Sequence, residues 1–178
     1  MKTWGNYNSE HLTMSNELKM TNDERQQFMR EAIQLSIENV RSGKGGPFAA
    51  VIVKDGMIIA RGTNIVTSAI DPTAHAEVIA IREACKKLGK FQLNGCEIYT
   101  SCEPCPMCLG AIYWARLERV FYGNTKQDAA EIGFDDSFIY EELPKKISNR
   151  SIPMVQVMHE EALAAFNTWK EKPDKIEY

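Results

Sequence analysis

Three cysteines in a short stretch are the residues of this chain best suited to metal chemistry. Cys102, Cys105 and Cys108 lie within SCEPCPMC, residues 101–108. If all three bind one metal ion, the site is closed and structural; if two do, a coordination position remains open for chemistry. Spacing alone does not decide, because Cys102–Cys105 and Cys105–Cys108 both follow a C-x-x-C pattern.

The prolines of this stretch favour the second pair. Pro104 and Pro106 predict the start of a helix, because the first helical turn has no acceptor for the N–H group that proline lacks. Cys105 is then a first-turn residue, and Cys108 follows on the same face. The helix macrodipole favours thiolate at this end, so the pair is suited to zinc. The remaining cysteines are expected to be packed thiols: Cys85, Cys96 and Cys102.

A further ligand must come from one of three histidines. His11 lies in a polar N-terminal stretch and His159 near the last predicted helix, whereas His75 opens a predicted helix as part of His75-Ala76-Glu77. His-x-Glu followed by Pro-Cys-x-x-Cys is the signature of zinc nucleobase deaminases, in which the glutamate is not a ligand. Residues i and i+2 of a helix do not share a face, so His75 and Glu77 can address one ion only from the helix entrance.

These residues predict a catalytic zinc site. His75, Cys105 and Cys108 would bind zinc, with water in the fourth position. Zinc lowers the pKa of bound water to about 7, and Glu77 would carry protons from that water to a ring nitrogen and to the departing amine. The predicted reaction is hydrolytic deamination of an amino-substituted heterocycle. The alternative is a non-catalytic module in which zinc staples two helices together.

Alternating strands and helices must position these residues. Apolar periodicity and terminal signals predict helices over about 22–41, 71–89, 104–116 and 160–171. Strands are predicted as a hairpin over 48–64 and as single strands at 96–101, 118–123 and 152–159. This alternation predicts an α/β fold, a three-layer α/β/α sandwich with a mixed sheet of about five strands.

Composition and charge favour a single globular domain without membrane or nucleic-acid partners. The chain has 178 residues, 44% apolar and 25% charged, and no apolar run approaches the ~20 residues that span a bilayer. A formal net charge of −3 provides no general basic field for nucleic acid. Because the N-terminus also lacks the apolar core of a secretory signal, we predict a cytoplasmic protein. We expect a flexible arm at 1–21 and a catalytic domain with a C-terminal tail at 22–178.

Four segments resemble bacterial guanine deaminases of the cytidine-deaminase-like fold: GGPFAAVIVKDG, DPTAHAEVIAIR, TSCEPCPMCLGAIYWAR and AAEIGFDDSFIYEEL. The resemblance runs from about residue 23 to Tyr178. It implies conversion of guanine and water to xanthine and ammonia, with zinc-bound hydroxide attacking C2 of the purine and Glu77 as proton shuttle. It also implies a homodimer whose substrate is a small purine base.

The resemblance implies three aromatic contacts with that base. Phe48 would pack on the purine ring and Trp114 would line the pocket. Tyr178, the last residue, would close the site, either in its own subunit or in the neighbouring one. Large aromatic side chains are more often simply part of the core, and chain termini usually fray, so these assignments depend on the resemblance.

Two polar contacts are implied as well. Asn64 would bind the purine edge, where an amide can donate and accept at once. Asp136 would face the amino group, and a carboxylate is a suitable acceptor because guanine presents donors at N1 and at its exocyclic amine. The adjacent Asp135 is an equal candidate on sequence, which does not settle which of the two side chains points inward.

The same zinc chemistry leaves other substrates open. Guanosine deamination uses the same purine edge but must admit a ribose. Deamination of adenosine in tRNA would need a basic face, which the acidic balance of the chain disfavours. Cytosine deamination shares the zinc motif but leaves the FDD sequence, residues 134–136, unexplained.

Overall fold

Helices and strands alternate along the part of the chain that the computed structural model describes, residues 20–177. The strands are β1 (Ala49–Lys54), β2 (Met57–Thr63), β3 (Cys96–Cys102) and β4 (Arg119–Asn124). The helices are α1 (Asn22–Arg41), α2 (Val66–Ala69), α3 (Ala76–Leu88), α4 (Pro106–Ala115), α5 (Lys126–Glu131), α6 (Ser137–Glu142) and α7 (His159–Glu171), with a 3₁₀ turn at Ile147–Asn149. Most of the predicted arm, residues 1–19, lies outside the described residues, as does Tyr178.

The four described strands form one mixed sheet in the order β2-β1-β3-β4. Strand β1 is antiparallel to both β2 and β3, and β3 is parallel to β4, which it reaches through α4. The start of β1 therefore meets the ends of the other three strands at a single edge. Loops that leave this edge can bring distant parts of the sequence together, as at the carboxyl ends of open α/β sheets.

Helices cover both faces of the sheet, which confirms the predicted α/β/α sandwich. Side chains of β1 alternate between the faces: Ala50 and Ile52 pack with residues of α3 and α4, whereas Val51 and Val53 pack with Phe28 of α1. All four of these β1 side chains are at most 1% exposed. No described helix combines the length and apolarity that crossing a bilayer requires.

The start of α3 lies directly on strand β2. Ala76 and Ala80 of this helix are fully buried. A Cβ atom on Gly62 of β2 would lie 2.1 Å from the carbonyl oxygen of Ala76 and 2.5 Å from the backbone nitrogen of Ala80. This close approach needs glycine on the strand and small residues on the helix. It holds His75 and Glu77, at the beginning of α3, against the sheet edge.

Two predictions of secondary structure were wrong. Helix α4 begins at Pro106, so Cys105 is its N-cap, with extended backbone angles φ −63° and ψ 167°, rather than a first-turn residue. The predicted fifth strand is not formed among the described residues, because 152–158 carry no strand pairing. An alternating apolar pattern becomes a strand only beside a free sheet edge, and this stretch lies away from the sheet of its own chain.

The C-terminal segment, residues 151–177, is unusually exposed. Its apolar residues remain largely in solvent: Ile152 77%, Val155 80%, Val157 73%, Phe166 68% and Trp169 42% exposed. Helix α7 has no buried residue and makes no extensive contact with another described helix or strand. The segment thus presents an apolar surface that one chain leaves uncovered.

Candidate metal centre and adjoining cavity

The structure brings together three side chains that can bind a metal ion. His75 Nδ1, Cys105 Sγ and Cys108 Sγ all lie within 4.8 Å of one another. The nitrogen is 3.6 Å from the Cys105 sulfur and 3.5 Å from the Cys108 sulfur. A tetrahedral zinc site with usual bond lengths requires a nitrogen–sulfur separation of about 3.6 Å. The three donors therefore fit zinc in both type and spacing.

Two helix starts converge to make this cluster. His75 is the N-cap of α3 and Cys105 is the N-cap of α4. Cys108 lies three residues further on, fully buried, with its sulfur directed to the same histidine. The partial positive charge at each helix N-terminus favours a thiolate over a thiol. Cys105 is the N-cap of α4 and not the predicted first-turn residue, but the argument for a thiolate still holds, because the N-cap also lies at the positive end of the helix.

Hydrogen bonds among these side chains favour a charged cysteine. A hydrogen bond from Cys108 lowers the pKa of Cys105 well below its ordinary value, against the opposing effect of burial. A hydrogen bond to Cys105 likewise raises the pKa of His75. These interactions favour the thiolate form of Cys105, which is the form that ligates metals, while the same hydrogen bond raises the pKa of Cys108.

Glu77 lies beside the cluster and is only 6% exposed. One carboxylate oxygen is 3.4 Å from the hydroxyl of Thr100, which donates to it, and the other is 3.4 Å from the Cys108 sulfur. Burial is the main cause that raises the pKa of this carboxyl group. A buried carboxylate with a raised pKa is suited to accepting and releasing a proton during catalysis.

Cys102 stays outside the cluster. It ends β3, is 6% exposed, and its thiol donates to the carbonyl oxygen of Thr125 at 3.5 Å. Burial raises its pKa to about 11, so it is a neutral thiol. Within the described residues, the cluster of possible metal ligands comprises two of the three neighbouring cysteines.

A cavity of about 490 Å³ opens beside these residues. His75, Glu77 and Cys105 form part of its wall. Of the predicted substrate contacts, Phe48 and Asn64 also line it. Phe48 precedes β1 and Asn64 follows β2, so the sheet edge described above brings them to the metal ligands.

Asp136 lines the same cavity, and so does Asp135. The Asp135 carboxylate accepts a hydrogen bond from the backbone N–H of Ser137 at 2.9 Å, within its own turn. Asp136 is the less exposed of the two. Burial raises its pKa first, and the negative charge of Cys105 raises it further, which puts Asp136 within electrostatic reach of the metal ligands. Of the two aspartates, Asp136 is thus the one whose pKa is affected by a metal ligand.

One of the predicted contacts is not part of this cavity. Trp114 does not line it, because its side chain points outward from α4 and is 61% exposed. The expectation that Trp114 lines the pocket is therefore not met within one chain. Tyr178 lies outside the described residues.

An amide on α1 joins the two walls that carry Phe48 and Asn64. Asn39 is 3% exposed, and its Nδ2 donates to the carbonyl oxygens of Gly46, at 2.9 Å, and Asn64, at 2.7 Å. A Cβ atom on Gly45 would lie 2.0 Å from the same Asn64 oxygen, so only glycine permits this approach. Periodicity on α1 identifies a helix but does not show that a polar residue on it reaches across to a loop.

Other lining residues were also missed from the sequence: Glu103, Lys126 and Phe134. Lys126 follows β4, and Glu103 follows β3. Because parallel strands end at the same edge, the predicted strand–helix–strand alternation over 96–123 contained a signal for both. Phe134 belongs to the FDD sequence, in which only the aspartates had been considered.

Comparison with known proteins gives a family match. The model of the cytidine and deoxycytidylate deaminase zinc-binding region matches residues 22–124, which include all three donors and Glu77. Guanine deaminase of Bacillus subtilis (strain 168) is 60% identical over 151 residues, which cover 85% of this chain and 97% of that protein.

Solved structures agree. The X-ray structure of guanine deaminase from Bacillus subtilis superposes with a TM-score of 0.85 at 57% identity, covering 89% of this chain and 99% of that one. A guanine deaminase from Nitrosomonas europaea matches with a TM-score of 0.60 at 35% identity, covering 65% of this chain and 66% of that one. The described fold and the donor cluster thus occur in a chain similar to zinc-binding deaminases.

Proposed function

The chain belongs to the cytidine and deoxycytidylate deaminase family of zinc-binding proteins, and from this premise we propose that it hydrolyses guanine to xanthine and ammonia. One observation carries the proposal. Glu77 lies buried beside the three metal donors, at the wall of a cavity that also holds Phe48, Asn64 and Asp136. The similarity to guanine deaminases covers nearly the whole length of the Bacillus subtilis protein, so it supports this base rather than deamination in general.

His75, Cys105 and Cys108 would hold zinc, which would supply a water molecule with a pKa lowered to about 7. Three protein ligands would leave room for that water, in contrast to closed structural sites with four. Cys102 has no part in this ligand set, because its sulfur lies outside the cluster of donors and its thiol donates to the carbonyl oxygen of Thr125.

Glu77 moves the protons. It takes a proton from the attacking water and passes it first to a ring nitrogen and then to the amine that leaves from C2 of the purine. Thr100 holds one carboxylate oxygen, so the other is directed to the side of the metal donors. Its raised pKa suits a group that must both accept and return a proton.

Three side chains hold and orient the base. Phe48 offers a ring face, and Phe134 packs edge-on against it with ring centroids 4.9 Å apart, which restrains its orientation. Asn64 Oδ1 accepts from the backbone N–H of Val66 at 3.3 Å, so its amide N–H groups point to the acceptors of the purine edge. Asp136 accepts hydrogen bonds from the donors at N1 and at the amino group of guanine.

We infer that the protein acts as a homodimer in which C-terminal segments are exchanged. The outer edge of β4 has no neighbouring strand in the described sheet. Beside it, a groove of about 420 Å³ runs between α1 and β4, lined by Arg25, Met29 and Phe121 among others. The alternating apolar residues around Val155 suit a strand on that free edge. Helix α7 of the same segment would then cover the groove.

This exchange would bring the end of one chain towards the cavity of the other. It accounts for the exposure of the C-terminal segment, and it gives Tyr178 a place to close the neighbouring active site. Trp114, exposed on α4, would contribute from a subunit contact rather than from its own cavity. We further propose that residues 22–178 form the catalytic unit, with residues 1–21 as a flexible arm, and that the enzyme works in the cytoplasm.

The direct test is ammonia release by the zinc-loaded protein with guanine, guanosine, adenine and cytosine in parallel. Activity on guanine alone supports the proposal. A preference for guanosine would retain the mechanism and assign a larger substrate to the cavity. Release of no ammonia from any of the four, by a protein that binds zinc, would instead support a non-catalytic zinc module.

A further inference from the structure

The segment that carries Asp136 is held to the rest of the protein by very few contacts. This acidic wall segment, residues 132–143, contains α6 and follows α5 at the edge of the sheet. None of its residues is buried. Packing against the core therefore does not explain why the Asp136 side chain lies at the cavity, and specific contacts must do so.

Tyr140 makes two of those contacts. Its hydroxyl donates to the carbonyl oxygen of Pro104 at 3.5 Å. The ammonium group of Lys126 lies 4.2 Å from the centre of its ring, which is a favourable cation–π distance. Pro104 immediately precedes the metal donor Cys105, and Lys126 lines the cavity. Tyr140 thus links α6 both to the loop that carries a metal donor and to the cavity wall.

The helix geometry connects Tyr140 with Asp136. Asp136 is the N-cap of α6, and Tyr140 follows four residues later. Residues four apart lie on the same side of a helix. A contact that fixes Tyr140 therefore also sets the direction from which Asp136 enters the cavity.

Phe134 holds the other end of the segment. Its backbone N–H donates to the carbonyl oxygen of Ala129 at 2.9 Å, and its ring packs edge-on against Phe48. Because Phe48 is itself a substrate-contact candidate, this attachment is part of the cavity. Tyr140 is the attachment that does not touch the substrate-contact residues, so it can be changed without removing one of them.

We propose that Tyr140 is a positioning residue, which places the Asp136 carboxylate opposite the metal ligands by anchoring α6 to Pro104 and Lys126. The proposal rests on the guanine deaminase function proposed above. It assigns Tyr140 no contact with substrate. Its effect on turnover passes through Asp136, and the side chain has no role in binding zinc.

The test compares Tyr140→Leu and Tyr140→Phe with the wild type by steady-state kinetics on guanine. Tyr140→Leu removes both contacts, and we expect kcat/KM to fall about 30-fold, within the range seen when a catalytic geometry is misplaced by about 1 Å. Tyr140→Phe keeps the ring beneath Lys126 but loses the hydrogen bond to Pro104, so we expect a smaller fall in kcat/KM of about fivefold. Phe138→Leu is the matched control, because Phe138 lies on the same helix and is 62% exposed. All variants should retain zinc.

A double-mutant cycle separates positioning from general stability. In an Asp136→Asn background, Tyr140→Leu should lower kcat/KM by less than about threefold, because the carboxylate that Tyr140 positions is already removed. Equal losses in both backgrounds would overturn the proposal, as would wild-type kinetics for Tyr140→Leu. If Tyr140→Leu fails to fold, the smaller change Tyr140→Phe in both backgrounds gives the same comparison. Failure of the wild type to deaminate guanine would instead reject the proposed function itself.

Discussion

The metal centre and the acidic wall segment lie side by side but are built in opposite ways. The metal donors start two helices that are packed on the sheet, and Cys108 and Glu77 are both at least nine-tenths buried. The acidic wall segment lies beyond the last described strand, has no buried residue, and is attached through the side chains of Phe134 and Tyr140 and through hydrogen bonds from residues 150–151 to its end. Chemistry and recognition thus depend on regions that differ strongly in burial.

This difference indicates which region serves the chemistry and which serves recognition of the base. A metal site and a proton shuttle need atoms fixed within fractions of an ångström, and a packed core provides this. In the proposed function, the base is recognised by a wall with little core packing, which α6 and the neighbouring C-terminal segment would complete. We expect substitutions at the first region to abolish chemistry and those at the second to alter binding and selectivity.

The largest effect should come from the metal ligands. Cys105→Ser and Cys108→Ser should lose zinc and all measurable turnover, whereas Cys102→Ser should retain about one zinc per chain, because a catalytic site takes three protein ligands. Metal content by plasma mass spectrometry and ammonia release check this. Cys102→Ser is the matched control within the same eight residues, and loss of zinc from it would refute the ligand assignment.

The next largest effect should come from Glu77→Gln. We expect kcat to fall about 10³-fold with zinc retained, because an amide cannot carry the proton to the leaving amine. Glu83→Gln is the control, since Glu83 lies on the same helix and its side chain is 51% exposed in an ion pair with Lys86. Unchanged turnover in Glu77→Gln would favour a structural zinc site and remove the contrast between the two regions.

A smaller effect, mainly on KM, should follow from Asn64→Asp. The substitution keeps an oxygen for the N–H of Val66 but removes the donor for the purine edge and adds a negative charge. We expect KM to rise at least about tenfold, the cost of leaving one polar group unpaired. Asn94→Asp, in an exposed turn, serves as control. A fall in kcat at constant KM would assign Asn64 to the chemical region instead.

The smallest effect on chemistry should come from the C-terminal segment. Val155→Asp places a charge in the proposed subunit contact and should weaken the dimer about tenfold or more, because an unpaired charge is costly to bury. Light scattering during dilution measures this, with Met57→Asp, on the β1–β2 hairpin and 66% exposed, as control. A wild type that is monomeric at all concentrations would contradict the exchange of C-terminal segments.

Much of the fold followed from local patterns. The helix starting at residue 22, the hairpin, and the strands that became β3 and β4 were predicted to within a few residues, because periodicity and turn residues act over short distances. The fifth strand was wrong for the opposite reason. An alternating pattern shows that a segment can pair, but not whether the segment reaches a free edge of its own sheet.

The site residues also differ in whether a local sequence pattern could reveal them. His75, Glu77, Cys105 and Cys108 could be singled out because their spacing and the adjacent prolines place them at two helix starts. Asn39 and Tyr140 could not be singled out from the sequence. Each lies far along the chain from the residues that it contacts, and each contacts them through a hydrogen bond to a backbone carbonyl. Such contacts leave no periodic signal.

The sequence by itself identified the candidate metal donors, the candidate proton carrier and the reaction class, because these depend on residue types held at fixed short spacings. The tertiary structure alone decided which aspartate approaches the metal ligands, that Trp114 points away from its own cavity, and that the C-terminal segment stays uncovered. Those outcomes depend on which surfaces meet after the sheet has formed. The sequence of a single segment does not specify which distant segment it packs against.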